Sequence, residues 1–202
     1  MDSPYRRGHR DVQDRFDSRR LADRIVEKTF QTELDDGDKA LIERLPIFFL
    51  ATADGSGEPS CTFRGGDPGF VRVLDPTTLF WPEYDGNGMF LTLGNMLENP
   101  QVHLLFVDFE MQTRLRVVGR AELIWDGVLI EASHGARAGV LVHVTRAFPN
   151  CKRYIPKMTV VERARHVPRP EVVTPAAGWK RQEWACDALP AGDPSLDPDR
   201  PE

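Results

Sequence analysis

Residues 114–125, RLRVVGRAELIW, alternate cleanly between two faces. Leu115, Val117, Gly119, Ala121, Leu123 and Trp125 fall on one side, and Arg114, Arg116, Arg120 and Glu122 on the other. A period of two is that of a strand with one side against a core. Upstream, HLLFVDF (103–109) is apolar almost without alternation, as expected of a strand covered on both faces. Further back, IFFLATA (47–53), the turn-rich DGSGEP (54–59) and SCTFRGG (60–66) read as a hairpin. FVRVLD (70–75) and TLFWP (78–82) read as another, turning at Asp75-Pro76. VLVHVTRAF (140–148) closes the set. This amounts to about six strands within residues 46–148, with one short helical turn near 96–98. Short strands at this spacing make a sandwich or a barrel, and the barrel is expected because closure removes exposed edges.

The flanks differ in character. Residues 1–17 alternate Arg and Asp with little apolar content and are expected to be mobile. Residues 18–45 read as a helical extension. In it Leu21, Ile25, Val26 and Phe30 share a face behind Ser18 as N-cap, and a second helix over 38–45 turns Leu41, Ile42 and Leu45 inward before Pro46. Residues 46–160 then form the β domain and 161–186 a C-terminal extension, with a surface helix over 171–186 carrying Trp179 and Trp184. Residues 187–202 hold four prolines and five acidic residues against one Arg, a composition expected to stay disordered.

Composition excludes several classes. The chain has 202 residues, 41% of them hydrophobic, enough for a core without disulfides. Its 26 basic and 31 acidic residues give a net charge of −5, against a nucleic-acid partner. No apolar run approaches the roughly 20 residues that cross a bilayer, and the Arg-rich start has no signal-peptide core, so a cytoplasmic protein is expected. Cys61, Cys151 and Cys186 are too scattered for a disulfide framework, and the five histidines lack metal-ligand spacing, so no metal is expected. No hydrolase motif, P-loop or dinucleotide fingerprint is present, and no side chain is singled out as catalytic.

The chemistry concentrates in residues 61–100. Gly65-Gly66, Gly86-Asn87-Gly88 and Gly94-Asn95 are small-residue clusters where backbone can approach a ligand and N–H groups can bind an anion, although each is equally readable as a turn. Arg64 adds a forked cation suited to phosphate. Asn95 with Glu98 reads as a capping box opening a helix, itself an anion site.

These residues also carry a resemblance. RGG-x-PGF (64–70), P-x-Y-x-GN-x-MF-x-TLGN (82–95), NP-x-V-x-LLF-x-DF (99–109) and LRV-x-G-x-A (115–121) stand in the order found in the flavin-binding split-barrel group related to pyridoxamine phosphate oxidase. The resemblance spans roughly residues 40–160 and implies a mainly β fold: a six-stranded Greek-key split barrel of the FMN-binding type, with flanking N-terminal helices and the acidic tail. It implies a homodimer with FMN at the subunit interface and a small-molecule substrate, which fits the two-faced strand 103–109. It also implies cofactor contacts from Thr62, Phe63, Arg64 and Gly65, from Asn87 and Met89 in the following loop, and from Asn95. Arg116 is implied near the flavin's N1/O2 edge, and Lys152 as a residue reaching the neighbouring subunit. Trp81, Tyr84, Met89 and Tyr154 would line a substrate pocket.

The departures bear on function. The oxidase's R-x-V-L-L-K strand is replaced by CTFRGG, and its Ser-Arg-Lys phosphate cluster is absent. Its C-terminal Trp and Arg-x-x-P segment has no counterpart, so vitamin B6 oxidation is not implied. The expectation is an FMN-dependent oxidoreductase working through flavin N5. The alternatives are a non-catalytic flavin- or haem-binding module for stress sensing, or the same barrel holding a deazaflavin.

Overall fold

The computed structural model describes residues 3–202; residues 1 and 2 of the N-terminal segment lie outside the described residues. One antiparallel sheet organises the chain, with strands β1 (Ile47–Ala53), β2 (Pro59–Gly65), β3 (Arg72–Asp75), β4 (Thr78–Glu83), β5 (Gln101–Asp108), β6 (Thr113–Ile124) and β7 (Ala138–Pro149) in the order β2-β1-β5-β6-β7-β4-β3. There are seven strands rather than the six expected of the split barrel, one for each of the seven runs read in the sequence, with 72–75 and 78–83 pairing as the expected hairpin. The sheet does not close by hydrogen bonds: β2 and β3 are its two edges.

The inner faces make the core. Phe48, at the centre, lies 5.1 Å from Trp81, 5.3 Å from Phe106 and 5.9 Å from Phe70, ring centroid to centroid, and Phe48, Trp81 and Phe106 are fully buried. On β6 the inward side is Leu115, Val117 and Gly119 as the alternation requires, but Trp125 lies past the strand end and is 58% exposed. A Cβ at Gly119 would meet the His143 carbonyl at 2.5 Å, so only glycine fits where β6 meets the irregular part of β7. There the register shifts between Val118 and Gly119: Val118 faces Arg146 and Gly119 faces Val144, leaving Thr145 as the extra residue of a bulge. On β5, Val102, Leu104 and Phe106 are buried, whereas outward His103 and Leu105 are only half-covered, so a single chain covers one face fully and the other in part.

Of the helices, α3 (Asp36–Arg44) starts two residues earlier than expected, because the Asp35 side chain accepts the Asp38 N–H and caps it. It buries Ile42 and Leu45 against the sheet. The segment expected to be mobile contains α1 (Arg7–Arg15), followed by α2 (Arg19–Thr29) with Ser18 at its N-cap position but making no side-chain cap bond. Leu21 and Ile25 do not turn onto a core; they are 63% and 44% exposed. Helix α4 (Leu91–Glu98) connects β4 to β5, and α5 (Val128–Glu131) lies between β6 and β7.

The C-terminal region differs from expectation. In place of one surface helix over 171–186 there is a 3-10 turn, Gly178–Arg181, and a single α-turn, α6 (Glu183–Cys186). The tail expected to be disordered packs back: the buried Lys180 ammonium bonds Asp193 and Asp85, each at 2.7 Å, and Arg181 bonds the Asp197 and Arg200 carbonyls. An acidic, proline-rich composition lacks apolar surface to bury, but here buried ion pairs hold it. Among the described residues no helix is long and apolar enough to cross a membrane.

Candidate functional site

The expected cofactor residues divide into two groups on different strands. Thr62, Phe63, Arg64 and Gly65 end the edge strand β2. Phe63 is 57% exposed and lies edge-on to Phe49. The Arg64 side chain reaches across the sheet's open seam to β4: its Nε donates to Glu83 Oε1 at 2.9 Å, and Nη1 donates to Thr62 Oγ1 and the Phe63 carbonyl. The same Glu83 oxygen accepts the indole N–H of buried Trp81 at 2.8 Å. A carboxylate therefore already offsets much of the charge that the sequence assigns to an anion, leaving Nη2 without a partner among the described residues. The adjoining glycines serve packing. A Cβ at Gly66 would meet Phe70 at 2.4 Å, and one at Gly65 the Phe63 ring at 3.1 Å.

Glu83 leads directly into the second glycine cluster. Gly86, Asn87, Gly88 and Met89 are exposed, and Cβ atoms at Gly86 or Gly88 would meet nothing within 4 Å. Asn87 Oδ1 accepts the Met89 N–H at 3.0 Å, and Gly88 takes a positive φ of 78° that glycine permits. The loop is held from beneath by Asp85, which pairs with Arg137 at 2.6 Å and Lys180 at 2.7 Å. A cavity of about 920 Å³ opens between this loop and the C-terminal segment, with Tyr84, Asn87, Arg137 and Trp179 in its wall.

Asn95 is not at a helix start. Helix α4 begins at Leu91 behind Phe90, whose φ is 51°, and Asn95, inside the helix, donates to Thr52 Oγ1 at 3.0 Å. Glu98 turns away to accept the Gly55 N–H. The capping-box reading therefore fails, because the apolar FLTL stretch enters the helix a turn earlier.

Arg116 belongs to a different wall. β1 and β5 stand between β2 and β6, so one chain does not bring Arg64 and Arg116 together in the sheet. On β6 Arg116 lies between Leu105 and Phe148, and Arg114 shares its face beside Val107. Arg146 enters that face through the β7 bulge. Sequence reasoning missed Arg146 and His103: unbroken alternation along 140–148 gives no sign of the extra residue that resets the register. Burial, then Arg116 and Arg146, push the His103 imidazole below its usual range. Lys152 and Tyr154 follow β7 in an exposed loop, Tyr154 being 95% exposed. Beside them Arg153 donates to Cys151 Sγ through its backbone N–H at 3.4 Å and its Nε at 3.1 Å, and these two bonds, the backbone one first, lower that thiol's pKa.

The half-open antiparallel frame thus carries its cationic and glycine-rich groups on two separate walls. Among the described residues no group of three or more His, Cys, Asp or Glu stands ready for a metal. Residues 34–176 match the sequence model of pyridoxamine 5'-phosphate oxidase, and the chain belongs to that family. Among solved structures, HupZ of Group A Streptococcus is similar at 24% identity, over 62% of this chain and 99% of its own, with a TM-score of 0.49. An FMN-binding protein from Syntrophomonas wolfei is similar at 10% identity, over 70% and 96%, with a TM-score of 0.46. An F420 reductase is similar at 20% identity, over 58% and 97%, with a TM-score of 0.39. No curated protein matches the chain.

Proposed function

We propose that this protein is an FMN-dependent oxidoreductase acting on a small molecule, with the cofactor held between two copies of the chain. The observation that carries this reading is the family match over residues 34–176, which spans both walls bearing the candidate residues. Their separation favours a dimer: β2 with the Gly86–Gly88 loop from one copy, and the outer face of β6 from the other. The donor set suits a flavin phosphate in kind. Arg64 keeps unused N–H donors, and the amides at 86–88 lie open where an added Cβ meets nothing.

In this reading Arg64, Gly65 and Asn87 hold the phosphate, and the backbone of Thr62 and Phe63 borders the ring. Met89 covers it, and Asn95 steadies the loop's helix through Thr52. Arg116 and Lys152 come from the partner copy, Arg116 at the N1/O2 edge where a cation favours added electron density. Bound FMN would supply two-electron transfer through its N5. The chain's part is orientation, access and charge.

The purified protein should carry a two-banded flavin spectrum, and a deazaflavin or haem spectrum would overturn the reading. Losing one charge-assisted contact of about 1.5–3 kcal/mol weakens binding roughly 10–100-fold. Since Glu83 already shares Arg64, Arg64→Ala should sit near the lower end when FMN is titrated into apoprotein. Unchanged affinity removes Arg64 from the site. Light scattering should report a dimer; a monomer that binds FMN at full affinity refutes the shared site.

A further inference from the structure

The cavity of about 920 Å³ between the Gly86–Gly88 loop and the C-terminal segment has no part in the flavoprotein reading. It shares Asn87 with the flavin residues but takes in none of Arg64, Arg116 and Lys152. Much of its wall, from Ala177 to Arg200, lies beyond residue 176, where the family match ends. Specific contacts hold that wall in place. The Lys180 ammonium ties Asp193 in the tail to Asp85 at the start of the loop. The Ala176 N–H donates to the Pro201 carbonyl at 2.7 Å, and Arg181 donates to the Asp197 and Arg200 carbonyls. A Cβ at Gly135 would meet Pro168 at 2.4 Å, so the β6–β7 connection and the C-terminal segment are packed together there. The volume lies within the roughly 300–1,000 Å³ of pockets that take small organic ligands.

The side chains of the wall specify the ligand. Its surface is flat and stiff: Trp179 stacks on Trp184, ring centroids 5.7 Å apart and planes 16° from parallel, and Pro168, Pro175 and Pro194 also line the space. An indole packs well on a second flat ring. The one carboxylate in the wall is spent, since Arg137 takes Asp85 Oδ1 and Lys180 takes Oδ2. Donors and positive charge are left over. Arg137 and Lys180 are balanced by Asp85 and Asp193. Arg200 is in no ion pair among the described residues; its Nε donates to the Thr174 carbonyl at 2.8 Å, which leaves the guanidinium's two terminal nitrogens for a ligand. His134 and His166 also line the space and can add only positive charge. Burial, then the Asp67 charge, raises the Tyr84 phenol's pKa and keeps its hydroxyl a donor. One unspent guanidinium matches one negative charge. A carboxylate carries one and meets the fork with two parallel bonds, whereas a phosphate monoester carries nearly two.

We propose that this cavity binds a small aromatic monocarboxylate, its ring beside Trp179 and its carboxylate on Arg200. The site does not depend on the flavoprotein reading.

Benzoate is the probe, titrated into the full chain and followed by calorimetry and tryptophan fluorescence. Saturable binding is expected, weakened at least tenfold in Arg200→Gln. Val173→Trp, at an exposed position that lines the cavity, should fill the space and abolish binding while leaving the cation in place. Arg120→Gln, on β6 and outside the cavity, should bind as wild type does, and circular dichroism checks that each variant is folded. Benzamide, which keeps the ring and lacks the charge, should bind at least tenfold more weakly, as should cyclohexanecarboxylate, which keeps the charge and is not flat. Benzoate binding by a protein that takes up no flavin keeps this site and discards the flavoprotein reading; a yellow protein that does not bind benzoate does the reverse. Wild-type affinity in both Arg200→Gln and Val173→Trp, or equal binding of benzoate and benzamide, also overturns the proposal.

Discussion

Removing Glu83 tests the seam that holds the frame together. Its carboxylate accepts both the buried Trp81 indole N–H and the Arg64 guanidinium, whose side chains are respectively in the core and 21% exposed. Glu83→Ala leaves the indole N–H buried without an acceptor, at a cost of about 1–3 kcal/mol. Loss of the partly exposed ion pair adds about 1 kcal/mol or less. Glu83→Gln keeps an amide oxygen for the indole and loses only the charge, so it should cost about 1 kcal/mol. Urea denaturation followed by tryptophan fluorescence should therefore rank the variants wild type, Gln, Ala. For a chain of this length the Ala variant should melt about 5–10 °C lower. The same substitution releases Arg64. If Arg64 faces the cofactor phosphate, apo Glu83→Ala should bind FMN a few-fold more tightly while being less stable. Equal stabilities for the Gln and Ala variants would refute the indole bond as the source of the seam's strength, and unchanged FMN affinity would refute the competition for Arg64.

Three further outcomes follow from the same geometry. Gly66→Ala drives a methyl into Phe70 at 2.4 Å and should destabilise by about 1–3 kcal/mol in denaturant; Gly86→Ala meets open space and should leave stability unchanged, so any loss of FMN affinity there reports close approach of the loop. Lys180→Ala strands the buried Asp193 carboxylate; trypsin should then cut the C-terminal segment far faster while the melting of the β frame barely moves, and equal proteolysis would show that the ion pairs do not hold the segment. Asp108 is pushed up by burial, but the Met111 N–H and Arg44 outweigh that and hold its carboxyl below the ordinary carboxylate range. Its contribution is present above the unfolded-state value and lost as pH falls through the folded one, so Asp108→Asn should flatten the acid side of the stability–pH curve, measured by urea midpoints from neutral pH downward.

How far the sequence reached depends on the range of the interaction concerned. Local rules sufficed for the strands: the alternation of 114–125, the apolar run at 103–109 and the turn residues at 54–59 and 75–76 each constrain only neighbours in the chain, and each element formed where they point. The family followed from four short motifs in order. The capping-box reading of Asn95 failed although it too was local, because the burial of Thr92, Leu93 and Met96 sets where α4 begins.

Charge was beyond that reach. Arg64 looks available in the sequence, and Glu83, nineteen residues later, meets it only because the two ends of the sheet curl toward each other. Arg146 looks like one more alternating residue, and one bulge at Thr145 turns it onto the arginine face. The tail looks soluble and unstructured, and Lys180 binds it through Asp193. The sequence by itself determined which residues form strands, because backbone preference and side-chain period act over a few residues. Tertiary structure alone decided which cations are neutralised and which are left waiting for a partner, because ion pairing depends on distances of a few ångströms between residues far apart in the chain.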